Sequence, residues 1–295
     1  MSARLDRYLT LSLFRPLRRA GFINDERSVP VLMYHSISDD AEETVQPYYR
    51  LATSPRRFAE QMQWLNHSGF QGVSLEAALA ALVGEDLGRR TPVAITFDDG
   101  FRDFYTEARP VLQRYGFTAT MHLPTDFIGT PRKRFCDREC LTWNEVRELR
   151  AQGVRFGSHT ASHPKLHEIS WTAIGNELAW SKARIEQELG EAITGFAYPY
   201  AFPQEDWRFL ERFADLLRGQ GYRNCVTTVV GRVRAQDDLF RLKRLPVNSC
   251  DDEALFLAKL HGNYDWLGPA QRMVREFKRF RPGRSCAQPK TSFDE

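Results

Sequence analysis

Short apolar runs alternate with stretches of helical spacing through most of the chain. Runs at 31–34, 93–97, 118–123, 154–158, 195–198 and 225–230 predict buried strands, since each is a few apolar or alternating residues closed off by turn formers. Between them, 55–68, 104–115, 142–152, 171–189 and 206–220 place apolar residues three and four apart, which predicts helices with one buried face. End signals agree with these bounds. Ser54 precedes Pro55, Thr142 and Glu145 make a capping-box pair, and Gly69, Gly153 and Gly190 stand at far ends, where the left-handed conformation that closes a helix suits glycine. The alternation predicts an α/β fold, and 295 residues is the size of one (β/α) barrel, which is preferred to an open sheet.

The ends of the chain break the alternation. Leu5, Leu9, Leu13 and Leu17 recur every four residues among Arg4, Arg7, Arg15, Arg18 and Arg19. This predicts a basic amphipathic helix that packs on the domain or makes peripheral contact with an anionic membrane. Thr10 and Ser12 interrupt its apolar stretch and no small-residue cleavage site follows, so export by this segment is not expected. The expected location is the cytoplasm, with the helix able to rest on the inner membrane face. From about residue 271 the chain turns charged, with Pro282, Gly283 and Pro289, and a flexible tail is expected. A net charge of only +3, without zinc-finger spacing or a basic repeat, gives no ground for nucleic-acid binding. Five cysteines, an odd number spread widely, predict reduced thiols. Cys136 and Cys140 read as a loop pair, since two thiols alone are too few for a zinc site.

The chemistry gathers where strands end. His35 follows the first run, Asp98 and Asp99 the second, His159 the fourth, and Pro199 and Tyr200 the fifth. In a parallel barrel these ends open on one face, so residues far apart in sequence converge there. Neighbours on an extended backbone point in opposite directions, so of Asp98 and Asp99 one can ligate while the other serves as a base. An Asp-Gly pair that merely turns the chain fits this segment equally well. His159 and His163 shift the balance, because histidines four apart on a helical turn share one face and can bind one ion. Two imidazoles and a carboxylate leave positions open for water and substrate, the pattern of a catalytic rather than a structural metal.

Thr96-Phe97-Asp98-Asp99-Gly100, then Ser158-His159-Thr160-Ala161-Ser162-His163-Pro164, then Phe196-Ala197-Tyr198-Pro199-Tyr200 resemble the motifs of the NodB-homology polysaccharide deacetylases, carbohydrate esterase family 4. The opening Val31-Leu32-Met33-Tyr34-His35 and the later Arg244-Leu245-Pro246-Val247 look more like the exopolysaccharide and poly-N-acetylglucosamine branch. The resemblance divides the chain into the N-terminal helix at 1–28, a single NodB-homology domain of distorted (β/α) barrel type at 29–270, and the tail at 271–295. It implies Asp99, His159 and His163 as ligands of a divalent metal, zinc first, with cobalt, nickel, manganese or ferrous iron also suited. It further implies Asp98 as general base, the backbone N–H of Tyr200 as an oxyanion donor, and an N-acetylated glycan as substrate, hydrolysed with release of acetate.

A departing amine needs a proton, and two histidines compete to supply it. His35 ends a strand, whereas His261 follows a stretch that reads as a helix, so His35 is preferred. The arginine that commonly accompanies the third motif is missing, with Thr194 and Gly195 near its place, and Ala201 replaces a glycine. Arg244 is the expected substitute for steering Asp98, against a plain surface ion pair. Tyr198, Tyr200 and Phe202 are candidates for stacking on sugar faces, against a core role; Trp143, Trp171 and Trp266 are assigned to packing. Two other readings stay open: an impaired, metal-containing glycan-binding protein, and a deacetylase of small non-sugar amides.

Overall fold

The structure, a computed structural model, describes residues 4–22, 27–40, 42, 44–85 and 88–279. Its main sheet has eight parallel strands: β1 Val31–Tyr34, β2 Phe70–Val73, β3 Thr91–Phe97, β4 Thr120–Leu123, β5 Arg155–Ser158, β6 Gly195–Ala197, β7 Asn224–Val230 and β8 Leu242–Pro246. Seven of them close into a ring in the order β1-β8-β7-β6-β5-β4-β3, because β3 pairs with β1 from Ala94 to Phe97. β2 stays outside the ring, paired with the first half of β3. The α/β barrel read from the sequence is therefore present. β2 and the helix Leu75–Leu82 that follows it are additions, and both have local reasons for escaping notice. Gln71 and Gly72 break the apolar run of β2, and a short helix with so many Leu and Ala residues shows little periodicity.

Helices pack around the ring where the end signals placed them. Ser54 Oγ accepts from the Arg57 N–H to start Pro55–His67, and Thr142 and Glu145 complete a reciprocal capping box at the head of Trp143–Ala151. Gly190, at φ 68°, closes Trp171–Leu189. Alternation along β3 splits its residues: Val93, Ile95 and Phe97 join the large core shared with the helices, while Ala94 belongs to a separate buried cluster with Val31, Ala197 and Val226. Thr96 and Asp98 follow Ala94 on that second face, so the upper interior of the barrel is polar.

Both ends of the chain differ from expectation. The N-terminal helical segment runs from Leu5 to Arg19, with a π-helical turn at Thr10–Phe14, and does not fill 1–28. Ser28–Val29 is instead a strand paired with Val233–Arg234. The expected boundary at residue 270 falls inside a helix, Leu267–Arg279, where Gln271 Nε2 donates to the Tyr48 hydroxyl at 2.6 Å. The remainder of the expected tail, 280–295, lies outside the described residues, as does Cys286. Cys136, Cys140, Cys225 and Cys250 are unpaired thiols.

Candidate active site and metal centre

The ends of β1, β3, β5, β6 and β8 surround a cavity of about 390 Å³, lined among others by His35, Asp98, Asp99, His159, His163 and Tyr200. Parallel pairing around a closed ring leaves no other arrangement for strand ends, and the convergence inferred from the sequence follows from it. Asp99, His159 and His163 each offer a ligand atom, and all three atoms lie within 4.8 Å of one another. His159 Nε2 and His163 Nε2 are 3.1 Å apart, with Asp99 Oδ1 3.5 Å from each.

How they converge is not as expected. His159 to His163 is a loop, not a helical turn, and Thr160 and His163 sit at φ 69° and 57°. Asp99 is also left-handed, at φ 70°, followed by Gly100 at φ 64°. The reversal thus begins at Asp99, and this turn, rather than strand alternation, separates the two carboxylates. Left-handed backbone at residues other than glycine is strained and tends to mark functional sites.

The donor set fits a divalent cation. The Ala197 carbonyl, 2.8 Å from His159 Nδ1, is an acceptor with no hydrogen to give, so Nδ1 carries the hydrogen and Nε2 turns its lone pair to the shared centre. Asp99 Oδ1 is buried and has no hydrogen-bond partner among the described residues, the state of an oxygen shaped for an ion. Burial and the neighbouring His159 push His163 down to about 4, so it presents a neutral imidazole. Burial also opposes charge on His159, but Asp98 and Asp99 outweigh it and raise its pKa. With two carboxylates this close, positive charge is what the centre attracts.

Asp98 lives in a different environment one residue away. Arg244 Nη1 donates to its Oδ1 at 2.9 Å and Nη2 to its Oδ2 at 2.7 Å, while His122 Nδ1 donates to Oδ1 at 3.0 Å. Burial pushes the carboxyl up, but the charges of Arg244 and His159 and these hydrogen bonds hold it well below the usual range. Arg244, from β8, is almost fully buried and is itself fixed by the Thr227 carbonyl at 2.9 Å. The ion pair with Asp98 is thus internal, not on the surface.

His122, from β4, is absent from the sequence-based expectations. It is completely buried, and burial keeps it neutral despite Asp98 beside it. A Cβ on Gly157 would come within 2.6 Å of the His122 ring and 2.9 Å of the Gly195 carbonyl, so glycine there makes room for the imidazole. A histidine inside the apolar run of β4 was its one visible signal.

The remaining candidates separate cleanly. His35 is half-buried and lines the cavity; burial lowers its pKa, with Asp99 and Asp98 pulling the other way. His261 is exposed, its ring 5.5 Å from that of Phe70 at the start of β2, at the end of the barrel away from the cavity. Tyr200 is left-handed, at φ 58°, and exposed, with its ring 4.6 Å from His163. Tyr198 and Phe202 are buried against each other, and Tyr198 also meets Phe213, so core packing holds for those two. A hairpin, Arg134–Phe135 with Arg138–Glu139, brings Phe135 to 4.9 Å from the His163 ring and Cys136 into the cavity wall.

Residues 87–222 match the family model for polysaccharide deacetylase. Over that stretch the chain is similar to the polysaccharide deacetylases. YxkH of Bacillus subtilis (strain 168), whose name assigns it provisionally to the polysaccharide deacetylases, is 29% identical over 220 residues, 75% of this chain and 71% of that protein. The poly-beta-1,6-N-acetyl-D-glucosamine N-deacetylase of Escherichia coli (strain K12) is 33% identical over 138 residues, 44% of this chain but only 20% of that protein. Among solved structures, Streptococcus pyogenes deacetylase PplD in complex with acetate superposes with a TM-score of 0.68 at 27% identity, covering 80% of this chain and 99% of that one. The matched stretch contains Asp98, Asp99, His122, His159, His163 and Tyr200; His35 and Arg244 lie on either side of it.

Proposed function

We propose that this deacetylase domain hydrolyses the acetamide of an N-acetylhexosamine unit in a glycan, with a divalent metal held by Asp99, His159 and His163. The observation that carries the reading is the pairing of that donor set with a separately clamped carboxylate, Asp98, in one cavity. The name of the Escherichia coli relative, a poly-N-acetylglucosamine deacetylase, supports the substrate class. Zinc suits two imidazoles and a carboxylate best; cobalt, nickel, manganese or ferrous iron also fit.

A bound divalent cation supplies Lewis acidity, which polarises an amide carbonyl and makes water a better acid. Asp98 then accepts a proton from the attacking water. Its two arginine bonds and the His122 bond fix its direction and keep it ionised, so it is available as a base over the whole neutral range. In this reading the backbone N–H of Tyr200 donates to the negative charge that develops on the acetyl carbonyl oxygen as water adds to the acetyl carbon. His35 gives a proton to the departing amine nitrogen; because burial lowers its pKa, its protonated form is a strong donor. The product sugar leaves as an amine, and the acetyl group as acetate.

The missing third-motif arginine and Ala201 motivate a non-catalytic reading; Arg244, which clamps Asp98 from another strand, supports the catalytic one. The test is acetate release from N-acetylglucosamine oligomers by protein stripped of metal and then reloaded. Activity should vanish on stripping and return with zinc, and His163→Ala should lose both metal and turnover. A His163→Ala protein with full metal and undiminished turnover would sink the site assignment. Reloaded wild-type protein that releases acetate from small amides but from no sugar would sink the substrate class.

A further inference from the structure

The N-terminal helical segment has two faces, and the barrel uses only one. On the inner face the Trp266 indole N–H donates to Thr10 Oγ1 at 3.0 Å, Phe14 stacks on Trp266 at 4.8 Å, and Arg7 pairs with Asp252. Arg4 donates to the Cys250 carbonyl and to Asp251, and Asp6, its own partner, accepts from the Tyr264 hydroxyl. The π-turn at Thr10–Phe14 decides this arrangement. One extra residue per turn shifts the register, so Thr10 and Phe14 face inward, Leu9 and Leu17 are half-buried, and Leu5 and Leu13 are exposed.

What the shift leaves outside is a row of large apolar side chains. Leu5 is 65% exposed, Tyr8 66% and Phe22 79%, with Leu13 also on the surface. Asp6 is the only carboxylate in residues 4–22, and it is turned inward. No carboxylate among the described residues pairs with Arg15 or Arg19. An exposed strip of leucine and aromatic residues beside unopposed arginines has a stated physical match: a bilayer surface carrying negative headgroups, where apolar groups enter the acyl boundary and arginines reach the phosphates.

We propose that this outer face seats the protein on an anionic lipid surface. Only the start of the segment comes near the cavity wall, since the Cys250 whose carbonyl accepts from Arg4 also has its thiol 3.7 Å from Arg50, a residue lining the cavity; its far end reaches the Gly262 carbonyl through Arg18. Docking there uses no residue of the site.

Co-sedimentation of the full chain with vesicles tests this. The protein should pellet with phosphatidylglycerol-containing vesicles, much less with pure phosphatidylcholine, and less again as salt rises. The pair Leu5→Ser and Tyr8→Ser should abolish most binding. The pair Arg15→Gln and Arg19→Gln should weaken it by roughly fivefold per arginine. Both variants should keep the wild-type melting temperature and wild-type acetate release from a soluble sugar. Absence of pelleting with anionic vesicles, equal pelleting with phosphatidylcholine, or binding untouched by either variant overturns the proposal. So does a dimer of the wild-type chain that these substitutions dissolve, because the face would then be covered by a second copy.

Discussion

Two carboxylates in this barrel are gripped by arginine, one inside the ring and one on its outer wall. Asp98 takes both amino groups of Arg244 and the His122 N–H. Glu145 takes both amino groups of Arg132, at 2.8 and 2.9 Å, the Arg102 Nε at 3.2 Å and the Thr142 N–H at 2.8 Å. Burial pushes each carboxyl up and the cations beside it win, so both are held below the ordinary range, Glu145 at about 2. By charge and hydrogen bonding alone the two are near equals. They differ in what stands next to them. Glu145 caps a helix and ties down the foot of the hairpin at 134–139, with every neighbour satisfied. Asp98 lines a cavity, one residue from an oxygen with no partner among the described residues. A perturbed carboxylate is therefore a weak sign of catalysis until the unsatisfied groups around it are counted.

The comparison is put under most strain by removing charge from the inner carboxylate. Asp98→Asn keeps the shape and should keep the metal, yet turnover should fall by about a hundredfold to ten-thousandfold, because an amide cannot take the proton from water. Acetate release and metal content measured on the same sample check this. Loss of metal in that variant would mean that Asp98 and Asp99 have been given each other's roles.

Next in size is the proton supplied to the amine. His35→Ala should slow acetate release from an N-acetyl sugar by about a hundredfold with metal retained, and His261→Ala should do little. An acetate ester should suffer less from His35→Ala, since an alkoxide leaves more easily than an amine. A damaging His261→Ala with a silent His35→Ala would reverse the choice, despite the position of His261 at the far end of the barrel.

A smaller effect separates holding Asp98 from being Asp98. His122→Leu removes one donor and should lower kcat by roughly tenfold with KM little changed, the usual size for a group acting through another. His122→Asn places an amide N–H close to the position of Nδ1 and should recover most of the loss. If Asn and Leu behave alike, His122 fills space and does not orient the base.

The same contrast explains what could be read in advance. The clamp on Glu145 was half legible, because Thr142 and Glu145 are three residues apart and a capping box is a local pattern. So were the helix starts at Ser54 and the stop at Gly190. The cluster of Asp99, His159 and His163 was legible as motifs on strand ends, but its geometry was not. Left-handed backbone at Asp99, Thr160 and His163 is imposed by packing and is not announced by those residue types. Arg244 reaches Asp98 across 146 positions and His122 across 24, distances that only ring closure shortens. A lone histidine in Thr120-Met121-His122-Leu123 carries no local mark of what it will meet.

The mildest prediction concerns the outer clamp and asks whether Glu145 is as structural as its surroundings say. Its folded pKa of about 2 lies below the ordinary glutamate value near 4.5, so the ionised form is favoured by folding. The resulting stability is fully present above about pH 4.5 and is lost as pH falls through about 2. Glu145→Gln should then destabilise the protein by roughly 1 to 3 kcal/mol at neutral pH, since the amide keeps some hydrogen bonds but not the charge. Urea unfolding of both proteins from neutral pH down toward about pH 3 should show the difference shrinking, because protonation makes the wild-type side chain neutral as well. Turnover at a temperature where both are folded should change little, because Glu145 touches no group that lines the cavity. A Glu145→Gln protein with unchanged stability and lost turnover would break the comparison, for the hairpin that carries Phe135 to His163 would then depend on this charge for its position over the site.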